Sequence, residues 1–221
     1  MGASDAFRQA AHAIWEASYA HPFVQAIGDG TLPQERFRFY LAQDYVYLID
    51  FCRLFAVAAA KATGLAPMER FAKLLEETLH FEMDLHRGLC ADFGIPRQEL
   101  ERTRPAPTCL GYTSYLLRTA YEGGAGSLLA ALLPCSWGYG EIGLRLQARG
   151  LPRTTHYAKW IETYASSEYQ ELVSWLRGLF DEVVADSGGG LRARFQEIFD
   201  TSSRWEYLFW EMAWTMEGWP V

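Results

Sequence analysis

No run of like charges and no basic patch interrupts this 221-residue chain, whose 27 acidic and 20 basic side chains leave a formal charge of −7. That balance argues against a nucleic-acid or anionic-membrane surface as partner. Cysteine is scarce: Cys52, Cys90, Cys109 and Cys135 lie far apart with no C-x-x-C pair. Such spacing fits neither a zinc framework nor a secreted disulfide scaffold, so reduced thiols in a cytoplasmic protein are expected. The N-terminus lacks the basic start and apolar core of a signal peptide, because Asp5, His12 and Glu16 fall within its apolar periodicity. Residues Gly123 to Gly140 carry no charge, but glycines, Ser127, Pro134 and Ser136 dilute them. The stretch reads as a buried core helix rather than a membrane span. Strand alternation, Asn-Gly hairpins, internal repeats, G-x-S-x-G elbows and phosphate-binding glycine loops are all missing.

What remains is rich in apolar and aromatic residues, at 50% and 15%, with helical periodicity nearly throughout. The first helix is expected from Ser4 to Tyr19, ending at the His21-Pro22 turn. After the GDGTLP loop, Thr31 is a candidate N-cap and Pro33 sits near the first turn of a long helix ending at Gly64. A third helix runs from about Pro67 to Gly94-Ile95-Pro96. A linker from Thr103 to Thr108 leads into a helix from about Cys109 to Tyr121, and the uncharged helix closes at Gly150-Leu151-Pro152. Helices near Thr155 to Ser166 and Ser167 to Ala185 follow, and the last runs from the Gly188 to Gly190 triplet to about Glu217. The expectation is one all-α domain over residues 1–221, a bundle of seven to nine helices.

Three apolar stripes at alternating four- and three-residue steps are each interrupted by polar groups. Phe37, Leu41, Leu48, Phe51 and Phe55 carry Asp44; Leu128, Leu132, Tyr139, Ile142 and Leu146 carry Cys135; Phe195, Phe199, Ser202, Phe209, Ala213 and Met216 carry Glu206. A buried carboxylate is costly unless it is paired or functional, so the two acids and the thiol are expected to line one pocket.

Each has a plainer reading. Asp44 can read an amine or amidine edge among phenols, or pair with Arg36, Arg38 or Arg53. Glu206 carries the same ambiguity, whereas Glu211 is expected to face solvent or a neighbouring subunit. Cys135 follows Pro134, which lacks an amide N–H, so a helix starts or kinks there and N–H groups could stabilise a thiolate. The plain alternative is a small buried hydrophobe. Tyr139 lies one turn on; Tyr112 and Tyr164, taken alone, read as core tyrosines. A di-iron carboxylate centre wants two Glu-x-x-His motifs. Glu77 and His80 make one, no second exists, and Glu82 with His86 adds only an i,i+4 pair.

The segments HPFVQAIGDGTLPQERFRFYLAQDYVYL, GYTSY, LLPCSWGYGEIG, WIETYAS and WEYLFWEMAW, in this order from residue 21 to 214, resemble the thiaminase II (TenA) family of thiamin salvage. The P-C-x-W-x-Y context of Cys135 is similar to its cysteine-containing branch. The resemblance implies a haem-oxygenase-like bundle, usually a homotetramer, with no metal or organic cofactor. Its implied substrates are small aminopyrimidines or thiamin, hydrolysed through a covalent cysteine adduct. It also implies a pocket of Asp44, Tyr47, Tyr112, Cys135, Tyr139, Tyr164 and Glu206, with Tyr47 stacking on the pyrimidine. Two other readings stand beside it: a non-catalytic aminopyrimidine-binding or regulatory protein, and a metal or haem oxidase on the same fold.

Overall fold

A computed structural model describes residues 2–83, 87–88 and 93–221, with the side chains of Phe81 and Glu82 excepted. Among the described residues the regular structure is helical: α1 (Ala3–Ala10), α2 (His12–Tyr19), α3 (Pro22–Asp29), α4 (Gln34–Lys61) and α5 (Leu65–Glu77) are followed by a π-helical stretch (Thr78–Glu82). Then come α6 (Arg97–Leu100), α7 (Pro107–Glu122), α8 (Ala125–Ala148), α9 (Thr155–Ala165), α10 (Ser167–Ala185) and α11 (Gly189–Thr215). The all-α class agrees with the sequence, but the described residues form eleven α-helices against the seven to nine expected.

Local chemistry explains the difference. The first expected helix is divided at Ala11, whose φ of −83° and ψ of 7° leave helical geometry. Residues eight apart on a straight helix differ by roughly 80° in direction. The break lets Phe7 and Trp15 both meet the Phe199 ring, at 6.2 and 5.8 Å between centroids. Helix α3 was hidden in what read as a turn. His21 caps it, its Nδ1 accepting from the Phe23 N–H at 3.2 Å, Pro22 sits in its first turn, and Gly30 ends it at φ 72°. Thr31 is therefore not an N-cap: its N–H and that of Leu32 bond the Ala26 carbonyl at the end of α3, and Pro33 occupies the cap of α4.

The chain forms two compact units. Unit 1, residues 1–32 and 126–211, packs α1 on α10 and α9 on both α3 and α10, around Phe23, Phe180, Phe199 and Trp210. Unit 2, residues 33–125 and 212–221, packs α4 on α5 and α7 around Phe37, Tyr40, Leu54, Phe55 and Leu116. Among the described residues no helix is long and apolar enough to cross a membrane; the uncharged stretch lies inside α8, buried from Gly126 through Trp137.

Candidate active site

In unit 2, α4 presents Asp44 inward with 8% of its surface exposed. Burial pushes its carboxyl from 3.8 up to about 7. The three arginines named as alternative partners each make another contact. Arg53 pairs with Asp50, Arg36 lies 3.7 Å over the Trp214 ring, and Arg38 reaches the Gly94 carbonyl at 3.5 Å. One turn beyond Asp44, the Tyr47 ring packs against Phe51 and Tyr112, each centroid 5.4 Å away. Both tyrosines are buried. A carboxyl close to neutrality beside a wall of rings suits a flat, weakly basic heterocycle.

Gln43 holds this arrangement and was passed over in the sequence. Its amide donates to the Arg104 carbonyl at 3.1 Å and accepts from the Ala106 N–H at 2.8 Å, fixing the entry to α7 and so to Tyr112. The only signal was an amide at the edge of an apolar face. Cys109 donates from Sγ to the Gln43 carbonyl at 3.5 Å. Burial first, then the charges of Asp44 and Asp50, push this thiol up to about 12, so it stays a protonated donor.

In unit 1, Cys135 and Tyr139 lie on α8, Tyr164 on α9 and Glu206 on α11; all but Tyr164 are buried, and Tyr164 is half-buried. Tyr139 packs against Tyr164 at 4.8 Å and Trp210 at 5.0 Å. Gly143 makes the first contact possible, since a Cβ there would come within 2.8 Å of the Tyr164 backbone. Gln170 donates to both the Tyr164 and Gly140 carbonyls, at 2.8 and 3.3 Å, tying that segment to α8. Tyr139 and Glu206 share the wall of a narrow cleft between α2, α8 and α11; Cys135 is not part of that wall.

Residues 8–216 match the model of the TENA/THI-4/PQQC family. This chain belongs to that family. A relative from Halalkalibacterium halodurans, named aminopyrimidine aminohydrolase, is 47% identical over 212 residues, covering 95% of this chain and 94% of its own. The solved TenA homologue of P. horikoshii OT3 superposes with a TM-score of 0.90 at 34% identity, over 97% and 99% of the two chains. A Shewanella denitrificans domain with a heme oxygenase-like fold gives a TM-score of 0.74 at 14% identity, over 95% and 90% of the chains. At that distance the likeness is one of fold.

Several details of this TENA/THI-4/PQQC chain correct its sequence reading. Pro134 falls inside α8, which removes the helix-start alternative and leaves the other. A proline within a helix removes its own N–H and leaves the Ala130 carbonyl without that bond. Ser202, read as part of an apolar stripe, is fully buried and donates to the Ala131 carbonyl at 2.5 Å, linking α11 to the turn before Cys135. Leu48 is only half-buried, and Met216 lies past the end of α11 at φ 52° and is exposed. Glu211 is partly exposed, as expected, and its Oε2 also lies 3.0 Å from Nε2 of buried His21.

Glu77 lies 3.5 Å from Lys73 in a surface ion pair, and His80 is exposed on the π-helical stretch. The Glu82 side chain, His86 and Cys90 lie outside the described residues. Among the described residues, no three His, Cys, Asp or Glu side chains gather where they could hold a metal.

Proposed function

We propose that this protein is an aminopyrimidine hydrolase of thiamin salvage. It converts 4-amino-5-aminomethyl-2-methylpyrimidine to the 5-hydroxymethyl compound and cleaves thiamin to the same pyrimidine plus a thiazole. The carrying observation is the buried Asp44 carboxyl, raised to about 7, one turn from the packed Tyr47 and Tyr112 rings. A neutral carboxyl donates its O–H to a ring nitrogen and accepts from the adjacent 4-amino group, two bonds that read the amidine edge. The name of the H. halodurans relative supports the same reading.

Cys135 is the nucleophile in this proposal, with Glu206 moving protons and Tyr139, Tyr164, Tyr47 and Tyr112 holding the ring. The thiol proton passes through Glu206 to a ring nitrogen as Sγ bonds to the adjacent ring carbon. The ring electrons then expel the 5-substituent. Its C–N pair leaves on nitrogen, as ammonia from the protonated amine or as neutral thiazole from the thiazolium. Water adds to the exocyclic methylene and yields its proton to Glu206. Breakage of the C–Sγ bond, with return of the ring proton to sulfur, restores the aromatic ring and the thiol.

Ammonia release from the aminomethyl pyrimidine tests the activity and separates it from mere binding. Cys135→Ser is expected to lower turnover at least 10³-fold while still binding the hydroxymethyl product; near wild-type turnover would remove Cys135 from the chemistry. A homotetramer working in the cytoplasm completes the proposal, on the strength of the family resemblance and of the acidic, thiol-bearing composition.

A further inference from the structure

Helix α7 carries Tyr112, one of the two rings packed one turn beyond Asp44, and it begins without a cap of its own. Its N-cap residue, Ala106, makes no side-chain cap bond, and Pro107 in its first turn has no N–H. The N–H groups of a first turn find no partner inside their helix, so they are met from outside it. Gln43 takes that of Ala106 at 2.8 Å. The next, on Thr108, donates at 2.9 Å to the carboxylate of half-buried Glu217, 109 positions along the chain. A carboxylate in that place also meets the positive end of the helix dipole.

The segment that brings Glu217 there carries backbone strain. Met216, just past α11, has φ 52°, the one positive φ outside glycine among the described residues. This left-handed turn lets the Glu217 N–H donate back to the Met212 carbonyl at 3.0 Å, closing α11 in the way a glycine ordinarily would. A side chain makes the conformation costly, so it persists only where surrounding contacts hold it. The holds are the Thr108 bond and a second one: Trp219 donates from Nε1 to the Pro105 carbonyl at 3.0 Å. Glu217 and Trp219 therefore grip the backbone on either side of the Ala106 cap. All of these residues belong to unit 2, as do Asp44, Tyr47 and Tyr112.

Tyr112 lies one helical turn past Thr108. Fraying or sliding of the first turn of α7 would move the Tyr112 ring against Tyr47, whose centroid is 5.4 Å away. Resting on the proposed function, we infer that Glu217 is a positioning residue: by capping α7 from the segment after α11, it fixes the Tyr112 ring where the aminopyrimidine is held. It touches no substrate. Its influence on ring binding is the same in the ground state and the transition state, so it governs KM rather than kcat.

Steady-state kinetics on the aminomethyl pyrimidine, with the full chain, test this role. Glu217→Ala is expected to raise KM about tenfold with kcat changed less than about twofold. Glu217→Gln, whose amide oxygen still accepts from Thr108, should bring KM back to within about threefold of wild type. Amide hydrogen exchange across residues 108–112 should quicken about tenfold in the alanine variant and stay near wild type in the glutamine variant. Trp219→Phe, at an exposed ring, loses only the bond to Pro105; it should raise KM by a smaller factor and serves where Glu217→Ala does not fold. A lowered melting temperature with KM unchanged in these variants would make the segment a purely structural cap. That result, or a glutamine variant as impaired as the alanine one, overturns the role of Glu217 and leaves the proposed function standing. A wild-type chain that turns over no aminopyrimidine overturns the proposed function, and this role of Glu217 with it.

Discussion

Asp44 concentrates the energetic tension of the molecule in one side chain. Its folded carboxyl sits near 7 because burial penalises the charged form, against 3.8 in the unfolded chain. The folded state therefore binds the proton more tightly. The stability belonging to the protonated group is complete below about pH 4 and is lost as pH rises through about 7. The gap amounts to roughly 4 kcal/mol above pH 7. Asp44→Asn, neutral at every pH, is expected to raise the melting temperature at pH 8, with the gain shrinking toward pH 5. Thermal melts at both pH values check it, and equal shifts would mean that the carboxyl is not held protonated. The same substitution should weaken binding of the pyrimidine product, since an amide cannot reproduce the acid's donor and acceptor pair with equal strength. His21 behaves in the opposite sense to Asp44. Burial lowers its pKa, with Glu211 opposing, and Nδ1 is committed as an acceptor to the Phe23 N–H.

Helices form where the periodicity says they should, but their ends and joints follow partners that periodicity does not contain. Long stretches such as α4 and α8 were legible because their apolar repeats persist over several turns. Ala11 and the His21 cap were not, since the first follows a ring packed from elsewhere and the second a local hydrogen bond. Joints between helices are the clearest case. Gln43 bridges α4 to the backbone entering α7, 61 and 63 positions away. Gln43→Ala removes both bonds and leaves the buried Ala106 N–H unsatisfied, so unfolding free energy should drop by about 2 kcal/mol. Urea denaturation measures that loss; a change below a few tenths of a kcal/mol would mean that the junction is held by apolar packing alone.

On the scale of the whole molecule, membership of the TENA/THI-4/PQQC family spans residues 8–216, and the proposed tetramer is a property that one chain does not display. Light scattering is expected to give four times the chain mass and to keep that value on dilution to micromolar protein; a monomer mass would refute it. The all-α class, the main helical spans and the polar interruptions at Asp44, Cys135 and Glu206 were determined by the sequence itself, because 3.6-residue periodicity and side-chain chemistry are local. Tertiary structure alone decided which of these groups acquire neighbours: Tyr47 with Tyr112, Tyr139 with Tyr164 through the space left by Gly143, and Ser202 with the Ala131 carbonyl. Such contacts join residues far apart along the chain, and no local repeat encodes which distant backbone a side chain will meet.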